Sequence, residues 1–190
     1  MNGDRFYVIT GGPGSGKTAL LDALADRGYQ RSLEAGRALI QQQVAIGGRA
    51  LPWADRLLFS ELMLSWEIRS YQIFEKIPGL VFFDRGVPDV AGHLRLLNFP
   101  LPDHVRKAAE IFRYNRQVFL APPWREIYTQ DLERKQDFEE AVRTYEALRD
   151  TYLDQGYEIH ELRRATVAER VRFVLAVACP AAMQKSPLLP

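Results

Sequence analysis

The segment Gly11-Gly12-Pro13-Gly14-Ser15-Gly16-Lys17-Thr18 matches the pattern G-x-x-x-x-G-K-[ST] in full. Glycines let backbone N–H groups curve around phosphate oxygens, the lysine reaches the β- and γ-phosphates, and the hydroxyl after it can bind Mg²⁺. The alternative is a glycine-rich turn that only joins a strand to a helix. The residues that we predict to bind a nucleotide are Gly12, Gly14, Ser15, Gly16, Lys17, Thr18 and Ala19.

The flanking residues supply the context that such a loop requires. Residues 6–10 form a β-branched and aromatic run that is typical of a strand, and residues 19–25 have the pattern of a helix. The positive N-terminal end of this helix would point at the phosphate groups. Strand, loop and helix together predict binding of a nucleoside triphosphate. We favour ATP, since the chain has no Asn-Lys-x-Asp guanine signature.

Composition limits the classes of protein to which the chain can belong. Its 190 residues, 47% of them hydrophobic, suffice for one well-buried domain and are too few for two of ordinary size. The net charge is only +1, so we expect neither nucleic acid nor a membrane as a partner. A single cysteine excludes a disulfide within the chain. Because no leader-like or membrane-spanning apolar segment occurs, we expect a cytoplasmic protein. We expect it to be a monomer or a homodimer.

Strand and helix patterns alternate along the rest of the chain. Further strands are predicted at residues 29–33, 80–83, 117–121 and 157–162, and helices at 34–46, 51–74, 87–97, 103–114, 138–152 and 166–178. In the helix of residues 51–74 we expect Leu57 and Leu58 to face inward. The alternation predicts an α/β fold, a three-layer sandwich with a five-stranded parallel sheet and helices on both faces. We expect a single domain over residues 1–180, with a helical lid at about 122–137 and a loose tail at 181–190.

The residues that follow each strand are candidates for a site, because parallel sheets bind ligands at the carboxyl ends of their strands. Asp84 follows an apolar run, which is typical of a carboxylate that holds Mg²⁺, unless it caps the next helix. Arg85 can stabilise transferring charge in the same cleft, unless it forms a surface salt bridge. Asp89 can either bind an acceptor hydroxyl or cap the helix.

Glu34 follows the second predicted strand, with Arg37 one helical turn later. A carboxylate at this place can accept a proton from an acceptor hydroxyl while Arg37 positions the acceptor. Asp84 is the other candidate for the proton acceptor. The alternative for Glu34 is a carboxylate that only stabilises the start of a helix.

The charged segment after the fourth strand contains Arg125, Arg134 and Lys135. Phosphoryl transfer requires cations around the transferred group, and a mobile basic lid can supply them while it excludes water. We favour Arg134 for this role, because it lies nearer than Arg125 to the start of the next helix. The alternative is a solvated helix start that carries charges of both signs.

Four segments carry a resemblance to a known family: residues 11–18, 34–37, 83–86 (Phe-Asp-Arg-Gly) and 124–128 (Trp-Arg-Glu-Ile-Tyr). Over nearly its whole length the chain resembles small bacterial P-loop proteins that are identified as AAA-type ATPase or kinase-like domains, relatives of nucleoside monophosphate kinases and ribosylnicotinamide kinase domains. The resemblance implies a five-stranded sheet, Mg²⁺ and transfer of a γ-phosphoryl group to a small molecule. It matches Lys17 and Thr18 to the phosphate and magnesium residues, and Asp84-Arg85 to the Asp-Arg pair of thymidylate kinase-like enzymes. Arg134 lies where their lid arginines would be.

The leading hypothesis is therefore a kinase that uses ATP with Mg²⁺ to phosphorylate a small molecule, such as a nucleoside, a nucleotide or a related metabolite. Thr18 and Asp84 would hold Mg²⁺. The alternative is a nucleotide-binding switch or slow ATPase or GTPase that acts through a protein partner. The predicted catalytic residues are Lys17, Glu34, Asp84, Arg85 and Arg134.

Overall fold

Five short strands form the sheet around which the chain folds. The computed structural model describes residues 2–128 and 137–179. The strands are β1 (Phe6–Gly11), β2 (Gln30–Arg31), β3 (Val81–Asp84), β4 (Gln117–Ala121) and β5 (Glu158–Glu161). They lie in the order β2-β3-β1-β4-β5, and every neighbouring pair is parallel. The predicted five-stranded parallel sheet is confirmed.

Helices cover both faces of this sheet. Within the described residues they are α1 (Lys17–Ala25), α2 (Ala35–Ile46), α3 (Arg56–Glu75), α4 (Val87–Leu96), α5 (Asp103–Ile111), α6 (Phe138–Asp154) and α7 (Val167–Ala178). Alternate residues of β1 pack on opposite sides: Phe6 and Val8 belong to the core that includes α2 to α6, and Tyr7 and Ile9 to the core beneath α1 and α7. This two-sided burial explains why the strands read as continuous apolar runs. The predicted three-layer α/β arrangement is confirmed.

The register of the central strands positions the candidate site. Ile9 of β1 is paired with Asp84 of β3 on one side and with Phe119 of β4 on the other. The N–H of Arg85 donates to the carbonyl of Ile9 at 3.1 Å, so the chain that leaves β3 remains tied to β1. The glycine-rich loop that follows β1 therefore begins beside Asp84.

The second strand is shorter than the predicted residues 29–33. Only Gln30 and Arg31 form it, at the edge of the sheet, and Leu33 is 63% exposed. The chain nevertheless stays beside β3, because the N–H of Ser32 donates to the carbonyl of Phe82 at 3.1 Å. An edge strand needs few apolar side chains, which is why its sequence pattern is weak.

The helix predicted over residues 51–74 begins later than expected. Its N-cap is Asp55, whose side chain accepts a hydrogen bond from the N–H of Leu58 at 3.1 Å. The expectation that Leu57 and Leu58 face inward is wrong, since they are 48% and 43% exposed. Leucines at helical spacing fit more than one face, and the packing of α3 against α4 selects the face that carries Phe59 and Leu64.

Two of the predicted segments fall at least partly outside the described residues. Residues 129–136 of the predicted lid, which include Arg134, lie there, and so does the predicted tail at 181–190. None of the described helices combines the length and the hydropathy that crossing a bilayer requires.

We predict that two leucines of α3 differ sharply in their contribution to stability. Leu64 is 6% exposed within the core, so Leu64→Ala should lower the free energy of unfolding by about 2–5 kcal/mol. Leu57→Ala is the matched control on the same helix and should change it by less than about 0.5 kcal/mol. Urea denaturation of both variants measures the two values. Equal losses would contradict the orientation of α3.

Candidate functional site

The backbone conformation and the close packing of the glycine-rich loop both require glycine. Gly14 and Gly16 have φ angles of +69° and +79°, in the left-handed region where a side chain is strained. A Cβ on Gly12 would lie 2.8 Å from the carbonyl oxygen of Ala141 in α6. The loop leads directly into α1, whose first N–H groups have no partner within the helix. This arrangement is a cradle for anions.

Lys17 folds back along the loop and is only 6% exposed. Its ammonium donates to the carbonyls of Gly11 at 3.0 Å and Gly12 at 2.9 Å. The hydroxyl of Ser15 also donates to the carbonyl of Gly12, at 2.8 Å. The lysine charge is thus held at the loop by neutral oxygens, where it can attract phosphate. Thr18 follows in the first turn of α1 and is exposed.

The chain that leaves β4 crosses the glycine-rich loop. A Cβ on Gly14 would lie 2.7 Å from the ring of Tyr128, and one on Gly16 would lie 3.3 Å from Ile127 Cδ1. The guanidinium of Arg125 lies 4.3 Å from the centre of the Phe138 ring, so it links the two described flanks of the predicted lid. The residues that precede the undescribed part of the predicted lid, Ile127 and Tyr128, therefore pack against the glycine-rich loop.

Asp84 is a buried carboxylate at the end of β3, with 2% exposure. Its backbone N–H donates to the hydroxyl of Ser32 at 2.9 Å, but its Oδ1 has no hydrogen-bond partner in residues 2–128 and 137–179. Burial raises the pKa of this carboxyl to about 6, although Lys17 opposes the shift. A buried oxygen without a partner beside a phosphate cradle fits a cation, and Mg²⁺ takes one or two protein oxygens together with phosphates. Asp84 does not form the N-cap of α4, which is Gly86.

Asp89, in the first turn of α4, holds the neighbouring elements together. Its Oδ1 accepts hydrogen bonds from the hydroxyl of Thr10 and from Arg85 Nη1, the latter at 3.2 Å. Its Oδ2 accepts from the N–H of Gly86 at 3.0 Å and from the hydroxyl of Tyr152 at 2.6 Å. Both oxygens are thus occupied by donors of the protein. Of the two interpretations, the structure supports the helix cap, and it adds a link from α4 to β1 and α6.

Arg85 occupies a position that the surrounding carboxylates determine. Its backbone has φ of +72°, which is uncommon for a residue with a side chain. The side chain is 14% exposed and lies between Asp89 and Glu34, with 3.8 Å from Nε to Glu34 Oε1. This is not the exposed surface salt bridge considered above. Glu34 is the N-cap residue of α2, but its side chain makes no capping hydrogen bond.

A cavity of about 300 Å³ opens beside these residues, between α2, α3, α4 and α6. Pro13 of the glycine-rich loop lines it. The charged residues of its wall are balanced, three basic and three acidic: Arg37, Arg56, Arg85, Glu34, Asp89 and Glu140. The apolar residues of its wall include Ile40, Phe59, Met63, Leu96 and Leu148. A cavity with apolar walls and a few charged groups is typical of a small-molecule site.

His93 supplies a neutral polar group to the wall of this cavity. Its ring meets that of Phe59 edge-on, with 6.0 Å between the ring centres. Burial, together with the positive charges of Arg85 and Arg56, lowers the pKa of His93 to about 4. The imidazole is therefore uncharged at neutral pH, and within the described residues its buried Nε2 has no hydrogen-bond partner. The sequence alone indicates no role for this residue.

Glu67 is a further buried carboxyl near these residues, for which the sequence motifs predict no role. It lies in α3, 1% exposed, and neither side-chain oxygen has a hydrogen-bond partner in the part of the chain that the structure describes. Burial raises the pKa of Glu67 well above its usual value, and the carboxylates of Asp89 and Asp84 raise it further. A signal was available: Glu67 lies four residues after Met63 and four before Tyr71, so a charged residue occupies the buried face of a helix.

We predict that Glu67 makes the folded state less stable as the pH rises. Above about pH 4.5 the unfolded chain releases a proton that folded Glu67 retains, so the free energy of unfolding should fall by about 1.4 kcal/mol per pH unit until the raised pKa is reached. Glu67→Gln should remove this decline, which urea denaturation between pH 5 and pH 8 measures. Glu146→Gln, which removes an exposed carboxylate from α6, is the control. Parallel pH profiles for the wild type and Glu67→Gln would refute the assignment.

Comparison with solved structures relates this geometry to known proteins. A NadR protein in complex with NR superposes with a TM-score of 0.72 at 17% identity, over 99% of this chain and 53% of that one. This chain thus spans about half of that protein. Deoxyadenosine kinase from M. mycoides, with dCMP and dCDP bound, gives 0.65 at 12% identity, over 90% of this chain and 97% of that one. Thymidylate kinase from Ehrlichia chaffeensis gives 0.59 at 17% identity, over 92% and 98%.

At these identities the likeness establishes a shared fold, that of P-loop kinases. A search of curated protein sequences found no significant match. A family model described as an AAA domain matches residues 6–170, which is most of the chain. The chain therefore belongs to this AAA domain family, as its sequence motifs predicted.

Proposed function

We propose that the protein is a kinase that transfers the γ-phosphoryl group of ATP, with Mg²⁺, to a small molecule such as a nucleoside, a nucleotide or a related metabolite. One observation carries the proposal. A cavity large enough for such an acceptor adjoins the glycine-rich loop, and Pro13 of the loop and Glu34 line it together. A protein that only bound and hydrolysed a nucleotide would need the glycine-rich loop but not the cavity beside it.

On the nucleotide side, we assign phosphate binding to the loop and the first turn of α1. Lys17 and the loop N–H groups would hold the phosphates, and Thr18 and Asp84 would hold Mg²⁺. The ion would supply positive charge that neutralises the transferred group. The buried Oδ1 of Asp84, which has no hydrogen-bond partner among the described residues, supports this assignment. The nucleotide-binding residues are Gly12, Gly14, Ser15, Gly16, Lys17, Thr18 and Ala19.

On the acceptor side, we assign proton acceptance to Glu34 and charge stabilisation to Arg85. The two side chains lie 3.8 Å apart at the wall of the cavity, so an acceptor hydroxyl that approaches the loop would meet both. Arg134 stays a proposed lid residue, outside the described residues. The uncharged imidazole of His93 and the ring of Phe59 favour an acceptor with a flat ring and polar substituents.

The shared fold supports the kinase over the switch. Two of the similar structures are a deoxyadenosine kinase and a thymidylate kinase. Their names describe those proteins, and they motivate the choice of nucleosides and nucleotides as the first acceptors to test. The proposal also includes a single kinase-like domain over residues 1–180, with a lid at about 122–137 and a tail at 181–190.

The proposal predicts that acceptors stimulate Mg²⁺-dependent formation of ADP from ATP. We expect a pool of nucleosides, nucleotides and vitamin-like metabolites to raise the rate, and Lys17→Ala to lower the stimulated rate by about 10²-fold or more. Coupled detection of ADP measures both. A slow rate that no acceptor changes would favour a nucleotide-dependent switch instead.

Glu34→Gln tests the acceptor side separately. Removal of a general base should lower kcat with the acceptor by about 10²–10⁴-fold, while binding of ATP should stay unchanged because Glu34 lies outside the loop. Glu139→Gln, the same change at an exposed position of α6, is the control. Unchanged kcat in Glu34→Gln would transfer the role of base to Asp84.

A further inference from the structure

Arg170, in the second turn of α7, reaches the glycine-rich loop from the side opposite to α6. It is only 3% exposed. Its Nη1 donates to the carbonyl of Ser15 at 2.7 Å, and its Nε donates to the carbonyl of Arg163 at 2.7 Å. A Cβ on Gly16 would lie 3.1 Å from the same Nη1. The guanidinium is therefore in contact with the loop that is proposed to bind phosphate.

The positive charge of this guanidinium has no carboxylate partner in the part of the chain that the structure describes. Its two hydrogen bonds go to neutral carbonyls, its face lies 4.9 Å from the centre of the Trp124 ring, and its Nη2 is buried without a partner. Burial lowers the pKa of Arg170, and no neighbouring charge opposes the shift. A buried cation without a counter-charge is costly, so an arginine in this state calls for an anion from outside the chain.

The surroundings of Arg170 also favour an anion. Together with Arg163 and Arg172, Arg170 lines a cavity of about 310 Å³. The acidic residue of that wall, Glu169, is engaged by Thr166, whose N–H and hydroxyl donate to its Oε2 at 3.0 Å and 2.6 Å. The Glu169 carboxylate therefore takes part in the cap of α7. Three guanidinium groups and one carboxylate leave an excess of positive charge at this wall.

We infer that Arg170 is a further nucleotide-binding residue, whose guanidinium provides counter-charge and a free Nη2 donor to the phosphate groups at the glycine-rich loop. The inference rests on the proposed function, because it requires that the loop bind a polyphosphate. Arginine suits the place, since its planar group can donate to Ser15 and still present a second edge to an anion. No sequence motif points to Arg170, because it lies 152 residues after Thr18.

Calorimetric titration of the full chain tests the inference, with ATP and with inorganic tripolyphosphate as a probe that has no base or ribose. Arg170→Met keeps the length of the side chain and removes its charge and donors. We expect it to raise the Kd for both ligands by about tenfold or more. Arg116→Met removes the same charge from an exposed position directly before β4, at the amino end of that strand, and it should leave both values close to those of the wild type.

Arg170→Lys separates a role in binding anions from a purely structural clamp on the loop. Lysine keeps the charge but cannot donate to both carbonyls in the geometry of a guanidinium. If the charge matters, Arg170→Lys should recover much of the lost affinity, and added NaCl should weaken the wild type more than Arg170→Met. A clamp would leave Arg170→Lys as weak as Arg170→Met, and this result would overturn the inference.

The outcomes also distinguish the inference from the proposed function. Thermal unfolding without ligand confirms that each variant is folded before titration. If wild type and Arg170→Met bind tripolyphosphate equally, the inference fails while the kinase proposal stands. If the wild type binds neither ATP nor tripolyphosphate, the proposed function fails, and the inference with it.

Discussion

The geometry of the candidate site depends on the hydrogen bonds that the buried carboxylate of Asp89 accepts. It accepts hydrogen bonds from Thr10 at the end of β1, from Arg85 and Gly86 in the turn after β3, and from Tyr152 in α6. A carboxylate that is 2% exposed is stable only when its oxygens are satisfied, so these donors are held in one arrangement. The loop after β1, the guanidinium of Arg85 and the wall of the cavity beside them are thereby fixed relative to one another.

Around this carboxylate the protein brings together more acidic groups than a stable core would favour. Glu67 and Asp84 are buried with oxygens that have no hydrogen-bond partner in the described part of the chain, and burial raises the pKa of both. Carboxyls of this kind reduce the stability of the folded state, and their proximity to one another is the pattern expected of a functional site. A cation and a bound nucleotide would change this balance of charge.

The glycine-rich loop lies between the two layers of helices, and each layer contacts it. From one layer, the backbone of Ala141 in α6 approaches Gly12, and from the other, Arg170 of α7 donates to Ser15. Tyr128 packs against Gly14 from the segment after β4. The loop is therefore shaped by residues distant in sequence, and the same layers line the cavity beside Glu34 and the basic wall that contains Arg170.

The sequence by itself determined the fold and the place of the glycine-rich loop within it. Local patterns are enough for these: an apolar run predicts a buried parallel strand, as at residues 80–83, and the spacing of residues 11–18 makes a loop whose backbone can meet an anion. It also brought Asp84, Arg85 and Glu34 forward, because the ends of parallel strands meet at one edge of the sheet.

Only the tertiary structure decided which of these side chains meet and which distant residues join them. Asp89 proved to be a cap and a link between elements, and Leu57 proved to be exposed. His93 of α4 lines the cavity, Glu67 of α3 lies near Asp84 and Asp89, and Arg170 of α7 contacts the glycine-rich loop. None of these outcomes follows from local spacing, because burial and pairing depend on the packing of helices that are far apart in the chain. The energetic importance of a buried charge arises from that packing, and only the folded chain brings the charge and its partners together.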